Sequence, residues 1–86
     1  MYRLDIQDYA TGFAETEAFD DFTLLEAKLT DKVMICCNAI RLPRNLWEKA
    51  NADMKECLAE TESGSMKIYD EKSQMVFLAC WCWFRK

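Results

Sequence analysis

The segment Met75-Val-Phe-Leu-Ala-Cys-Trp-Cys-Trp-Phe-Arg85 constrains the fold of this chain more than any other. In an extended strand, successive side chains point to opposite faces. Val76, Leu78, Cys80, Cys82 and Phe84 then share one face, and Phe77, Ala79, Trp81 and Trp83 share the other. Both faces are apolar, so burial on one side alone does not satisfy the strand. Either helices cover both faces of its sheet, or one face meets a partner.

The remaining sequence must supply that cover. Eighty-six residues are expected to form one domain with a single thin core. Apolar residues make up 51% of the chain and aromatic ones 13%, enough for such a core and too many for a disordered chain. No run approaches the ~20 apolar residues of a membrane-spanning helix. Asp5 and Asp8 interrupt any apolar stretch near Met1, so no signal peptide is read there, and a cytoplasmic location is expected.

Residues 2–9 alternate, with Tyr2, Leu4 and Ile6 against Arg3, Asp5 and Gln7, the pattern of a half-buried strand. Residues 10–19 read as a loop with room for a second short strand. Residues 20–41 read as a helix: Asp20 and Asp21 suit its start, Thr23-x-x-Glu26 matches a capping box, and Phe22, Leu25, Leu29, Val33, Cys36 and Ile40 recur at helical spacing. A rival reading turns the chain at Thr30-Asp31 and makes 33–37 a strand. Pro43 separates this segment from a second helix over 44–62, with Leu46, Trp47, Ala50, Met54, Cys57 and Leu58 as its apolar stripe and Lys49–Asp53 as a charge pair. Ser63-Gly64-Ser65 reads as the helix end, with Gly64 as a left-handed cap. Strands at 66–69 and 75–85 flank a polar turn. The expected architecture is α+β: a three-stranded, mainly antiparallel sheet with two helices on one face, in the order β-α-α-β-β.

The chain has no histidine, which removes the usual general base and the commonest metal ligand. Two isolated glycines make no phosphate loop. The five cysteines, Cys36, Cys37, Cys57, Cys80 and Cys82, are odd in number and lie in apolar segments, which predicts reduced, buried thiols. Neither Cys36-Cys37 nor Cys80-x-Cys82 has the Cys-x-x-Cys spacing of a metal knuckle. No catalytic residue, cofactor or metal is therefore assigned. The acidic residues read as a solvated face. The net charge of −4 disfavours contact with phosphates.

Two surfaces remain. The aromatic strand offers Phe77, Trp81 and Trp83, with Tyr69 beside them, as interface anchors. The second helix offers Asp53, Glu56 and Glu60 as an acidic face for a basic partner. The expected function is a non-enzymatic protein-binding module with a protein target or a second copy of itself as partner. In size and composition the chain is like the small inhibitors that phages and mobile elements direct against host defence complexes, anti-CRISPR proteins among them. Two alternatives stand beside it: a single-stranded nucleic-acid binder that stacks bases on the sheet aromatics, and a small thiol or metal protein that uses the cysteines.

Overall fold

A computed structural model describes residues 1–59 and 63–85. Four strands and two helices follow in the order β1 (Tyr2–Asp8), β2 (Phe13–Phe19), α1 (Phe22–Ala39), α2 (Arg44–Leu58), β3 (Ser63–Tyr69) and β4 (Met75–Trp83). The strands form one antiparallel sheet in the order β2-β1-β4-β3. The α+β class holds, but the sheet has four strands rather than three and the order is β-β-α-α-β-β.

The extra strand is β2, within the segment expected to be mainly loop. Its helix-facing positions carry Phe13, Glu15, Glu17 and Phe19, all half-buried. Two glutamates where apolar residues were expected erase the alternation that marks a strand. The turn before it is closed locally. The Asp8 carboxylate accepts from the Ala10 and Thr11 N–H groups at 2.9 and 3.2 Å, and Gly12 adopts a φ of 77°, which a residue without Cβ takes without strain. Asp8 is 3% exposed, and both bonds fall on its Oδ1.

The two helices form as read, with shifted ends. Asp21 caps α1, its side chain accepting from Thr23 N–H at 2.9 Å. The cap therefore sits two residues before the Thr23 capping box. At the other end, Leu42 N–H bonds Cys37 C=O at 3.0 Å and Arg41 N–H bonds Asn38 C=O at 3.1 Å. With Arg41 at φ 50°, this is a Schellman end built without glycine. Pro43 precedes α2 as its N-cap. The ion pair at helical spacing on α2 is Arg44–Glu48 at 3.1 Å; among the described residues, Lys49–Asp53 does not close.

One face of the sheet is covered. α1 packs on β1, β4 and β2, and α2 packs on β3. The core joins Leu25, Leu29, Val33 and Cys36 of α1 to Leu4, Ile6, Phe77 and Ala79, and continues through Ala50 and Met54 of α2 to Met66 and Ile68. Each fully buried large side chain contributes about 1.5–3 kcal/mol. The β4 dilemma thereby resolves: the aromatic face goes under the helices. Phe77 is 0% and Trp81 3% exposed, whereas Cys80 and Cys82 are exposed on the uncovered face and Leu78 is half-buried there. The expectation that all five thiols are buried fails for these two and holds only in part for Cys57, which is half-buried; Cys36 and Cys37 are buried. Cys80 pairs with Asp5 and Ser65, and Cys82 with Arg3 and Ser63, so polar strand neighbours make this face wettable.

Gly64 is not a helix cap. It lies in β3 opposite Trp81, and a Cβ built on it would stand 2.6, 2.7 and 2.9 Å from Cζ2, Cε2 and Nε1 of the indole. The ring covers the glycine, and the chain continues extended. Among the described residues, no helix is long and apolar enough to cross a membrane.

Candidate protein-binding groove

An antiparallel ladder alternates pairs that exchange hydrogen bonds with pairs that do not. Tyr9 N–H bonds Val76 C=O at 2.9 Å and Phe84 N–H bonds Met1 C=O at 2.8 Å. In the register of β1 with β4, even-numbered β4 residues therefore bond β1. Odd-numbered ones, Phe77, Ala79 and Trp81, turn their backbone groups toward Ile68, Met66 and Gly64. It follows that Ser63, Ser65 and Lys67 direct N–H and C=O groups away from the sheet, along the outer edge of β3, beyond which no further strand pairs among the described residues.

Beside that edge runs a groove. Its strand wall is the consecutive run from Ser65 to Tyr69, and its helix wall is Leu46, Lys49, Ala50, Asp53, Glu56 and Cys57 of α2. The helix residues recur at three- and four-residue steps, so they form one face of α2. Two adjoining hollows of roughly 350 Å³ each make up its length. One contains Tyr69 and Asp53, and the other Asp53 and Glu56. Lys67 borders both hollows and Lys49 only the first, so the groove carries charges of both signs.

The expected site residues separate accordingly. Tyr69, Asp53 and Glu56 come together in this groove; Tyr69 is 50% exposed and the two acids are exposed. Glu60 lies outside the described residues. Phe77 and Trp81 are core side chains with no surface to offer, and they form no base-stacking platform. Trp83 is 51% exposed, but it pairs with Tyr2 at one end of β4, while Tyr69 pairs with Met75 at the other. Eight strand steps put those ends about 26 Å apart, so the four aromatics make no single patch. The sequence reading missed Ser63, Ser65, Lys67 and Lys49. The signal for the first three was the small and polar alternation through Ser63-Gly-Ser65-Met-Lys67, obscured by reading Gly64 as a cap.

The opposite edge differs. Along β2 the helix-facing Glu15 and Glu17 sit at half-buried positions, with Glu15 bound to Lys28 at 3.3 Å. A second β2 laid antiparallel about Thr16 would set each Glu15 opposite a Glu17. Inward-pointing charge of this kind protects an edge from pairing.

Three of the thiols are held protonated. Burial, and then the Asp8 charge, pushes Cys36 up to about 12. The same causes raise Cys37. Burial, followed by Asp53 and Glu56, raises Cys57. A protonated thiol is a poor nucleophile and metal ligand. Comparison with protein families, curated proteins and solved structures gives no match, so the groove is interpreted from its own geometry.

Proposed function

We propose that the chain is a non-enzymatic protein-binding module that takes an extended segment of its target as a fifth strand on β3. The supporting observation is the pairing of an open strand edge with a helix face to form one groove. Strand addition draws affinity from main-chain hydrogen bonds and specificity from flanking pockets. Three outward-facing residues, Ser63, Ser65 and Lys67, offer up to six such bonds, each contributing a net ~0.5–1.5 kcal/mol. Rim ion pairs to Asp53, Glu56, Lys49 or Lys67 contribute ~0.2–1 kcal/mol each. The backbone term dominates, and the charges choose among targets and set the direction of the added segment. Tyr69 at the groove end is the anchor for an apolar side chain of the ligand. An occupied groove blocks whatever the target segment otherwise binds, which is how such a module acts as an inhibitor of a host complex.

The test is selection of binding peptides from a displayed library of random and proteome-derived segments, followed by Ser65→Pro. The Ser65 N–H faces away from β4, so proline spares the native ladder but removes a donor that an added strand needs. Selected peptides should lose binding to Ser65→Pro and keep it in Trp83→Ala. Peptides that bind Ser65→Pro as well as wild type would overturn the reading.

A further inference from the structure

A second site lies on the uncovered face of the sheet, away from the groove. Cys80 and Cys82 are both exposed and stand on the same face of β4, two strand steps or about 6.8 Å apart. A disulfide needs Cβ atoms about 3.5–4.5 Å apart, and side chains that rise in parallel from one strand are too far separated for it. The two thiols thus cannot oxidise onto each other without moving the backbone. They can reach a shared ion. Two metal–thiolate bonds of about 2.3 Å span about 4.6 Å, so each sulfur need lean only ~1.1 Å toward the other, and the two common strand rotamers lean in opposite directions along the chain.

The surroundings restrict which ion fits. Zinc asks for four ligands, and among the described residues no group of three Cys, Asp or Glu side chains gathers to hold a metal. The nearest carboxylate across the ladder is Asp5, opposite Cys80. Its two oxygens are already engaged, one accepting from Thr16 Oγ1 at 2.5 Å and the other 3.3 Å from Arg3 Nε. Arg3, whose register partner is Cys82, is the cation paired with that same Asp5 carboxylate, so the two charges offset each other and neither adds a ligand. Two soft sulfur ligands with no third partner suit a soft monovalent cation, copper(I) above all.

We infer that Cys80 and Cys82 form a two-coordinate site for a soft monovalent metal ion such as copper(I), independent of the groove. Binding releases the two thiol protons to solvent and leaves the metal oxidation state unchanged.

The test is anaerobic titration of the reduced protein with copper(I) against a chromophoric copper(I) chelator. The site takes one ion per chain and is not displaced by equimolar zinc. Cys80→Ser and Cys82→Ser each weaken it by about 100-fold or more, since each removes one of two ligands, while Cys57→Ser leaves it unchanged. The substitutions lie on an exposed face, and circular dichroism checks that the fold is kept. Wild-type affinity in the double serine variant, loss in only one of the two single variants, or one ion per two chains would each overturn the intrachain site.

Discussion

The contact of Gly64 with Trp81 makes a prediction that changes sign with its surroundings. Gly64 pairs directly with Trp81, and an alanine there would press its Cβ to 2.6 Å from Cζ2 of the indole. The ring is 3% exposed and is held among core side chains, so it cannot swing clear. Overpacking of this kind costs about 1–3 kcal/mol. Against it stands the gain from replacing a flexible glycine inside a strand, about 0.5–1 kcal/mol. Gly64→Ala should therefore destabilise the protein by about 1–2 kcal/mol, which lowers the melting temperature of a domain this size by roughly 4–16 °C. Trp81→Leu withdraws the fused ring while keeping an apolar side chain. In that background the clash is gone, and Gly64→Ala should stabilise by about 0.5–1 kcal/mol. The coupling between the two sites is then about 2 kcal/mol, well above the ~0.5 kcal/mol expected of independent sites. Urea denaturation of the four proteins measures it. Additive effects, or a destabilising Gly64→Ala in both backgrounds, would refute the packing of the indole over the glycine.

Three further outcomes follow from the structure. Phe77→Ala, at a 0% exposed position, should cost about 3–5 kcal/mol in a denaturation experiment, whereas Trp83→Ala should stay within about 1 kcal/mol of wild type. Stability should hold below about pH 9 and decline from there toward about pH 12, because the unfolded chain releases the Cys36 proton near 9.0 while the fold retains it to about 12; Cys37, raised in the same direction, adds to the slope, and Cys36→Ala should flatten it in urea titrations across that range. The joint replacement of Glu15 and Glu17 by valine removes the like charges that oppose β2 pairing, so sedimentation should show a concentration-dependent dimer that wild type does not form through this edge.

The parts of the fold carried by long periodic patterns were legible in the sequence. The recurrence from Phe22 to Ile40 outweighed the β-branched content of 33–37, and α1 runs unbroken through Thr30-Asp31. The strand β2 was hidden because its inner face uses Glu15 and Glu17 in place of apolar residues, one of them held by Lys28 from α1, a contact that only the tertiary fold creates. The orientation of β4 was equally undecidable from pattern, since both of its faces are apolar. It is settled by neighbours: Trp81 needs the space above a glycine, and Cys80 and Cys82 sit beside Asp5, Arg3 and two serines. The candidate groove was half legible. Asp53, Glu56 and Tyr69 stand out as exposed polar and aromatic residues, but the edge that unites them depends on strand order, which hydrophobic periodicity does not encode.

The most direct test of strand addition is amide hydrogen exchange, resolved by residue, on the protein alone and in complex with a selected peptide. Ser63, Ser65 and Lys67 direct their N–H groups away from β4, so they should exchange quickly in the free protein and become protected on binding. Amides of Met66 and Ile68, already bonded within the sheet, should change little. Protection confined to α1 or the β2 edge, with the amides of Ser65 and Lys67 still exchanging freely, would contradict the groove as the binding site.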